Sequence, residues 1–284
     1  ASVGTTLPDG TDPSPLRTRR LARDHGDRAP LDYVGPVHWR WPRPVLRRRH
    51  QPWDHRLMAA PSLDEVLASP TSALLVGMGV ANRAVAGALA RRGHVVVAVD
   101  DNPSDQLRAD ADALGITLGS SDELADLVTA AAFVVPTPGL PEQHEAFAIA
   151  DAAGVAIVSE FDLAAVWDDR PIVAVTGTNG KTTTVELAVA ALAADGRVAV
   201  AAGNTDIPLV TAIDDPNTDV FVVEASSFRL ARARRFRPTV ATWLNFAPDH
   251  LDVHRSLESY EAAKRISSRS REAAPSSPML LIPS

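Results

Sequence analysis

The chain has 284 residues, a formal net charge of −7 and no cysteine. The charge disfavours a nucleic-acid partner, and the missing thiols exclude disulfides and cysteine-ligated metal. No stretch of 18 apolar residues occurs, so no membrane insertion is predicted, and a cytoplasmic, monomeric protein handling small molecules is the expectation.

The length allows two ordinary domains. Residues 1 to 60 hold 11 arginines and six aspartates, a balance of +5 that leaves −12 for the remaining 224. This segment has little apolar periodicity. Residues 1–71 are therefore predicted to be a poorly ordered Arg/Pro-rich extension, with a basic arm for an acidic partner as the functional alternative.

From residue 72 the texture changes. SALLVGMG (Ser72 to Gly79) reads as a buried parallel strand entering a tight turn, and VANRAVAGALARRG (Val80 to Gly93) as a helix closed by glycine. HVVVAVDD (His94 to Asp101) is a second strand. AAFVVPTPGL (Ala131 to Leu140) and VAIVSE (Val155 to Glu160) supply later strands around an alanine-rich helix at His144 to Ala153. A second unit of the same kind starts near Pro171. It has strands at Ile172 to Gly177, Arg197 to Gly203, Asp219 to Ser226 and Thr239 to Asn245, with a helix at Lys181 to Asp195. The alternation predicts an α/β fold with mainly parallel sheets, one domain over 72–168 and another over 169–266. Residues 267–284 show no helical or strand period and are predicted to be an unpatterned tail.

Only two of the 28 basic side chains are lysine, Lys181 and Lys264. In a chain so biased towards arginine, a retained lysine points to a task a guanidinium cannot perform: a compact charge for phosphate, or an amine that can be modified. Lys181 lies in TGTNGKTTT (Thr176 to Thr184), where a strand ends in glycine and a helix opens on Lys-Thr. Backbone N–H groups at such a helix start favour anionic oxygens, the lysine reaches terminal phosphates, and Thr182 can hold Mg²⁺. Gly177, Thr178, Asn179, Gly180, Lys181, Thr182 and Thr183 are thus the candidate ATP-binding residues. The loop is shorter than the general P-loop pattern, which asks for glycine where this chain has Val175.

The first turn, GMGVAN (Gly77 to Asn82), matches two glycines of G-x-G-x-x-G and places Asn82 at the third. Asp100 follows at the distance of a ribose-gripping carboxylate. Gly77, Gly79, Val80, Ala81 and Asp100 are candidate nucleotide contacts. A nicotinamide dinucleotide, another nucleotide diphosphate, or simple close packing would each account for them. Further on, Glu224 ends an apolar strand, a place that tolerates a carboxylate mainly for a cation or a catalytic task. NFAPDHLDVH (Asn245 to His254) runs from another strand into Asp249, His250, Asp252 and His254. Oxygen donors with one imidazole suit Mg²⁺ or Mn²⁺ better than zinc, so Glu224 and His250 are candidate metal ligands.

Taken together, TGTNGKTTT, GNTDIPL (Gly203 to Leu209), EASSFRL (Glu224 to Leu230), LNFAPDHLD (Leu244 to Asp252) and SYEAAKRI (Ser259 to Ile266) resemble the Mur ligase family, in particular its D-glutamate-adding branch. TPGL (Thr137 to Leu140) and the turn at Gly77 are similar to that branch's UDP-binding domain. The resemblance spans about residues 72 to 266. It implies a Rossmann-like N-terminal domain followed by an incomplete P-loop α/β central domain. It also implies ATP-dependent joining of D-glutamate to UDP-MurNAc-L-Ala through an acyl phosphate, in peptidoglycan synthesis. Lys181, His250 and Lys264 would be catalytic, and Thr182, Glu224, His250 and a carbamylated Lys264 would serve Mg²⁺. Thr137, Gly139 and Asn204 would join the turn at Gly77 in binding substrate.

Departures accompany the likeness. Ala225 and Arg229 stand where the family usually has Leu and Gln, Arg255 where glycine is common, and Asn82 replaces a glycine of the uridine turn. The chain ends 20 residues after Lys264, so the resemblance implies that the rest of the central domain and the C-terminal domain are missing and that ligation is left incomplete. Another Mur-type ligase, a folylpolyglutamate ligase or a non-catalytic nucleotide-binding remnant are the alternatives. A nicotinamide oxidoreductase ranks last because it leaves TGTNGKTTT unexplained.

Overall fold

A computed structural model describes residues 62–265, residue 267 and the backbone of 279–281. Most of the expected extension therefore lies outside the described residues, but its last ten positions do not. Helix α1 (Leu63–Ala68) occupies them, started by a capping box in which Ser62 and Glu65 satisfy each other's backbone N–H groups. Leu67 is buried, and its carbonyl accepts from Trp167 Nε1 at 2.9 Å. An ordered helix thus precedes the boundary expected at residue 72. The signal was S-x-x-E before an apolar pair, hidden by the arginine-rich run ahead of it.

Beyond α1 the chain alternates: β1 (Ser72–Val76), α2 (Val80–Arg91), β2 (Val95–Val99), α3 (Asp105–Leu114), β3 (Thr117–Leu118), α4 (Leu124–Ala130), β4 (Phe133–Pro136), α5 (Glu145–Ala153), β5 (Ala156–Ile157) and α6 (Glu160–Trp167). The five strands form one parallel sheet in the order β3-β2-β1-β4-β5. After Ser72, strand β1 is apolar and buried because helices cover both faces of such a sheet.

The second sheet is built from β6 (Ile172–Thr176), α7 (Lys181–Ala194), β7 (Ala199–Gly203), α8 (Leu209–Ala212), β8 (Val220–Glu224), α9 (Ser227–Leu230), β9 (Val240–Trp243), α10 (Leu257–Arg265) and β10 (Met279–Leu281). Its order is β10-β9-β6-β8-β7, again all parallel. Part of the expected tail therefore pairs with β9. Three residues are too few for a period to show.

Each sheet places one strand, β1 or β6, between neighbours that run on in opposite directions along the order. The crevice beyond the carboxyl end of such a strand is where open α/β sheets bind ligands. Helix α6 lies at the junction and has no polar face: Phe161, Leu163 and Ala164 are buried, and so are Glu160 and Asp162. A helix without a polar side is a buried helix. Asp162 is satisfied by the N–H groups of Ser159, Arg234 and Arg235. One apolar cluster, including Leu75, Val85, Phe161, Leu209, Phe221 and Phe236, runs through both sheets.

Candidate functional site

The loop between β6 and α7 forms around its own backbone. Gly180, with φ +81°, turns the chain so that α7 starts on Lys181 without a side-chain cap, leaving its first amides free. Asn245, just after β9, clamps the loop: its Oδ1 accepts from Thr178 N at 3.1 Å and Asn179 N at 3.0 Å, and its Nδ2 donates to Asn179 O at 3.1 Å. Lys181 Nζ folds back onto Gly177 O at 3.0 Å and Thr178 O at 2.9 Å. An ammonium held only by loop carbonyls can exchange them for phosphate oxygens at little cost in hydrogen bonds.

Strand register brings the next residues to the same edge. Gly203 of β7 and Val175 of β6 both align with Glu224 of β8, which is buried. Glu224 Oε2 accepts from Thr182 Oγ1 at 2.7 Å, and Oε1 from Asn204 Nδ2 at 2.9 Å. Asn204 is brought this close because residue 203 is glycine. A Cβ there would lie 2.6 Å from Glu224 O, and φ is +96°. The pair of Thr182 and Glu224 presents hard oxygen donors of the kind Mg²⁺ takes.

Lys264 projects from α10 to the other side of the loop. It is 1 % exposed, donates to Gly177 O at 2.8 Å, and lies 4.6 Å from the centre of the Tyr260 ring one helical turn earlier. Burial, with the positive charge of Lys181 adding to it and Asp249 opposing, holds its amine at about 8, well below the usual lysine range. Tyr260 is buried, its hydroxyl is 3.1 Å from Thr178 Oγ1, and burial pushes its own ionisation up. Asn245 and Tyr260 escaped the sequence reading. Only the i, i+4 spacing of Tyr260 and Lys264 could have signalled the tyrosine.

His250 lies in the segment after β9. It has φ +55°, its side chain is 40 % exposed, and its ring packs 4.6 Å from Phe228 and 6.1 Å from Tyr260. Among the described residues no hydrogen bond or ion pair joins it to Glu224, and no group of three His, Asp or Glu side chains is arranged to hold a metal.

The first turn is closed by its own side chains. Asn82, fully buried, donates through Nδ2 to Gly77 O at 2.8 Å, Val135 O at 3.1 Å and Val76 O at 3.4 Å. Asp100 accepts from Met78 N at 2.7 Å and Asn102 N at 3.1 Å, so it also braces the turn. Gly77 has φ +77°, and a Cβ there would lie 2.6 Å from Thr137 Cγ2. Gly79 is the N-cap of α2, Val80 is 69 % exposed, and the Ala81 side chain is buried, so Ala81 has only its backbone to offer a ligand.

Thr137 and Gly139 line a cleft with Pro138, Leu140, Phe228 and Arg229 at the junction of the two sheets. Arg229 is 8 % exposed and pairs with the buried Glu160, whose carboxyl is pushed up by burial against the pull of Arg229. Arg229 Nε has no hydrogen-bond partner among the described residues.

Residues 175–272 match the model of the Mur ligase middle domain. The chain is a relative of the Mur ligases. It is 41 % identical over 199 residues to the UDP-N-acetylmuramoylalanine–D-glutamate ligase of Streptomyces avermitilis, covering 67 % of this chain and 42 % of that one. The enzyme of the same name from Corynebacterium jeikeium is 39 % identical over 228 residues, 74 % of this chain and 45 % of the relative. The chain thus spans less than half the length of these curated relatives. The solved UDP-N-acetylmuramate:L-alanyl-gamma-D-glutamyl-meso-diaminopimelate ligase from Neisseria meningitides has the same fold. It superposes with a TM-score of 0.50 at 19 % identity, over 75 % of this chain and 71 % of that one. Among the described residues no helix is long and apolar enough to cross a membrane.

Proposed function

We propose that this chain carries the UDP-sugar and ATP sites of a cytoplasmic ligase that adds D-glutamate to UDP-MurNAc-L-Ala. The observation that supports it most is the grouping of Lys181, Thr182, Asn204, Glu224 and Lys264 around the start of α7. The free amides of the loop and Lys181 would hold the β and γ phosphates of ATP. Thr182 and Glu224 would hold Mg²⁺, which when bound neutralises charge developing on the transferred phosphoryl group. Asn204, tied to Glu224, would orient the carboxylate that is phosphorylated before the D-glutamate amine displaces phosphate.

Lys264 would act as a carbamate. An amine titrating near 8 has a substantial neutral fraction at physiological pH, and the neutral amine is the form that adds CO₂. The product is an anion with two oxygen donors, for which His250 is a candidate partner. The sugar nucleotide would enter between the turn at Gly77 and the cleft at Thr137 and Gly139, where the unpartnered Arg229 Nε offers a donor to an anionic or carbonyl oxygen.

Titration calorimetry tests the reading. Mg·ATP and UDP-MurNAc-L-Ala should both bind, and NAD should not. NAD binding tighter than UDP would transfer the first turn to a dehydrogenase. A ¹³C carbamate resonance from ¹³CO₂, lost in Lys264→Arg, checks the lysine separately.

A further inference from the structure

The loop after β4 and the segment after His250 are stitched together at one residue, Glu142. Its N–H donates to Val253 O at 3.3 Å, and its carboxylate accepts from Arg255 N at 3.2 Å. Arg255 Nη2 donates to Glu142 O at 3.0 Å. The second carboxylate oxygen lies 3.1 Å from His254 Nδ1. On the other side of the ring, His254 Nε2 faces Ser227 Oγ at 3.0 Å. These contacts are well shielded, for the His254 side chain is fully buried and Glu142 is largely covered.

The chain of contact continues without a gap. The His254 ring lies 5.7 Å from Phe228, nearly parallel to it, and 5.4 Å from Tyr260. Tyr260 in turn touches Thr178 of the phosphate loop through its hydroxyl and Lys264 through its ring. Residues 244–256 have no helix or strand of their own. The same segment carries Asn245, which clamps the loop, and His250. Whatever fixes His254 therefore also bears on the phosphate loop. At the other end Glu142 lies two residues beyond Leu140, and Thr137, Gly139 and Glu142 line the same cleft.

We propose that Glu142 is a positioning residue that couples the sugar-nucleotide cleft to the phosphate loop through His254 and Tyr260. Occupancy of the first site then changes affinity at the second. The inference rests on the two-site reading above. Arg255 adds the contact to the Glu142 carbonyl.

The test measures binding of a non-hydrolysable ATP analogue by calorimetry, with and without saturating UDP-MurNAc-L-Ala, in the full chain and its variants. In the unsubstituted protein the sugar nucleotide should change analogue affinity about fivefold or more, the lower range of measured site-to-site couplings. Glu142→Ala should bring that ratio to one while the ATP analogue alone, which Glu142 does not line, still binds within about threefold of its original affinity, a readout that a purely structural staple would not move. Glu142→Gln, which keeps an acceptor for His254, should retain most of the coupling. Should Glu142→Ala fail to fold, His254→Phe keeps the stacking, removes the Nδ1 contact and should also bring the ratio to one. An unchanged ratio in a folded Glu142→Ala or His254→Phe protein overturns the proposal. So does a ratio of one in the unsubstituted protein when both ligands bind, and that result leaves the two-site reading standing. Absence of binding by either ligand removes the two-site reading and the coupling with it.

Discussion

The two glycine turns follow equivalent strands in their sheets, yet they are finished in opposite ways. After β1, Asn82 Nδ2 donates to three carbonyls and Asp100 accepts from Met78 N, so the turn is braced from within, while Asn82 Oδ1 has no partner among the described residues. After β6, no side chain caps α7, and two ammonium groups, those of Lys181 and Lys264, meet on Gly177 O. Like charges are brought together there although each raises the cost of the other. A glycine turn thus does not by itself denote a phosphate site. Neither α2 nor α7 has a side-chain cap, so what distinguishes the second turn is the positive charge gathered at its helix start, an arrangement completed by an anion.

Substitutions at the two turns should separate cleanly. Lys181→Ala removes a charge-assisted phosphate contact worth about 1.5–3 kcal/mol. ATP affinity should fall roughly tenfold to a hundredfold while UDP-MurNAc-L-Ala binding stays unchanged, as calorimetry would report; equal losses at both sites would mean the turns are not independent. Asn82→Ala leaves buried carbonyls short of a donor and should lower stability by about 1–3 kcal/mol, read as a shifted urea midpoint with ATP affinity retained. An unaffected midpoint would show that packing alone shapes the first turn. Asn245→Ala loosens the phosphate loop without removing a charge. A smaller ATP effect is expected, about 0.5–1.5 kcal/mol for a neutral hydrogen bond, again by calorimetry.

A separate effect lies in the pH dependence. Unfolded, Lys264 keeps its proton to about pH 10.4, whereas folded it releases it near 8. Between those values the unfolded chain binds more protons, so this group makes stability rise with pH. Below 8 the ammonium is charged in both states and its burial cost is felt in full. Lys264→Met should flatten the slope between pH 8 and 10 in urea titrations. An identical slope in the variant would place that amine in water.

Much of this was legible in residue order. The apolar runs at Leu74 and Val173, the glycines that follow them and the lone lysines announce parallel strands, turns and a candidate phosphate loop, because burial and helix-start geometry act locally. Helix α6 was harder to see. Its mixture of Glu160, Phe161, Asp162 and Leu163 has no amphipathic period, and it forms because both sheets bury it. Short elements such as β3 and β10 gave no pattern, being set by pairing with longer neighbours.

The site divides along the same line. Sequence by itself singled out the candidates for the chemistry, Lys181, Thr182, Glu224 and Lys264, since a point charge, a hydroxyl, a carboxylate and a modifiable amine follow from side-chain type and local motif. Tertiary structure alone decided their surroundings. Strand register set Glu224 between Thr182 and Asn204, the fold of α10 onto the loop buried Lys264 beside Lys181, and contact between the two sheets brought Glu142 to His254. Those distances join residues 20 to 112 positions apart, and only packing of the whole chain brings such groups within hydrogen-bond reach.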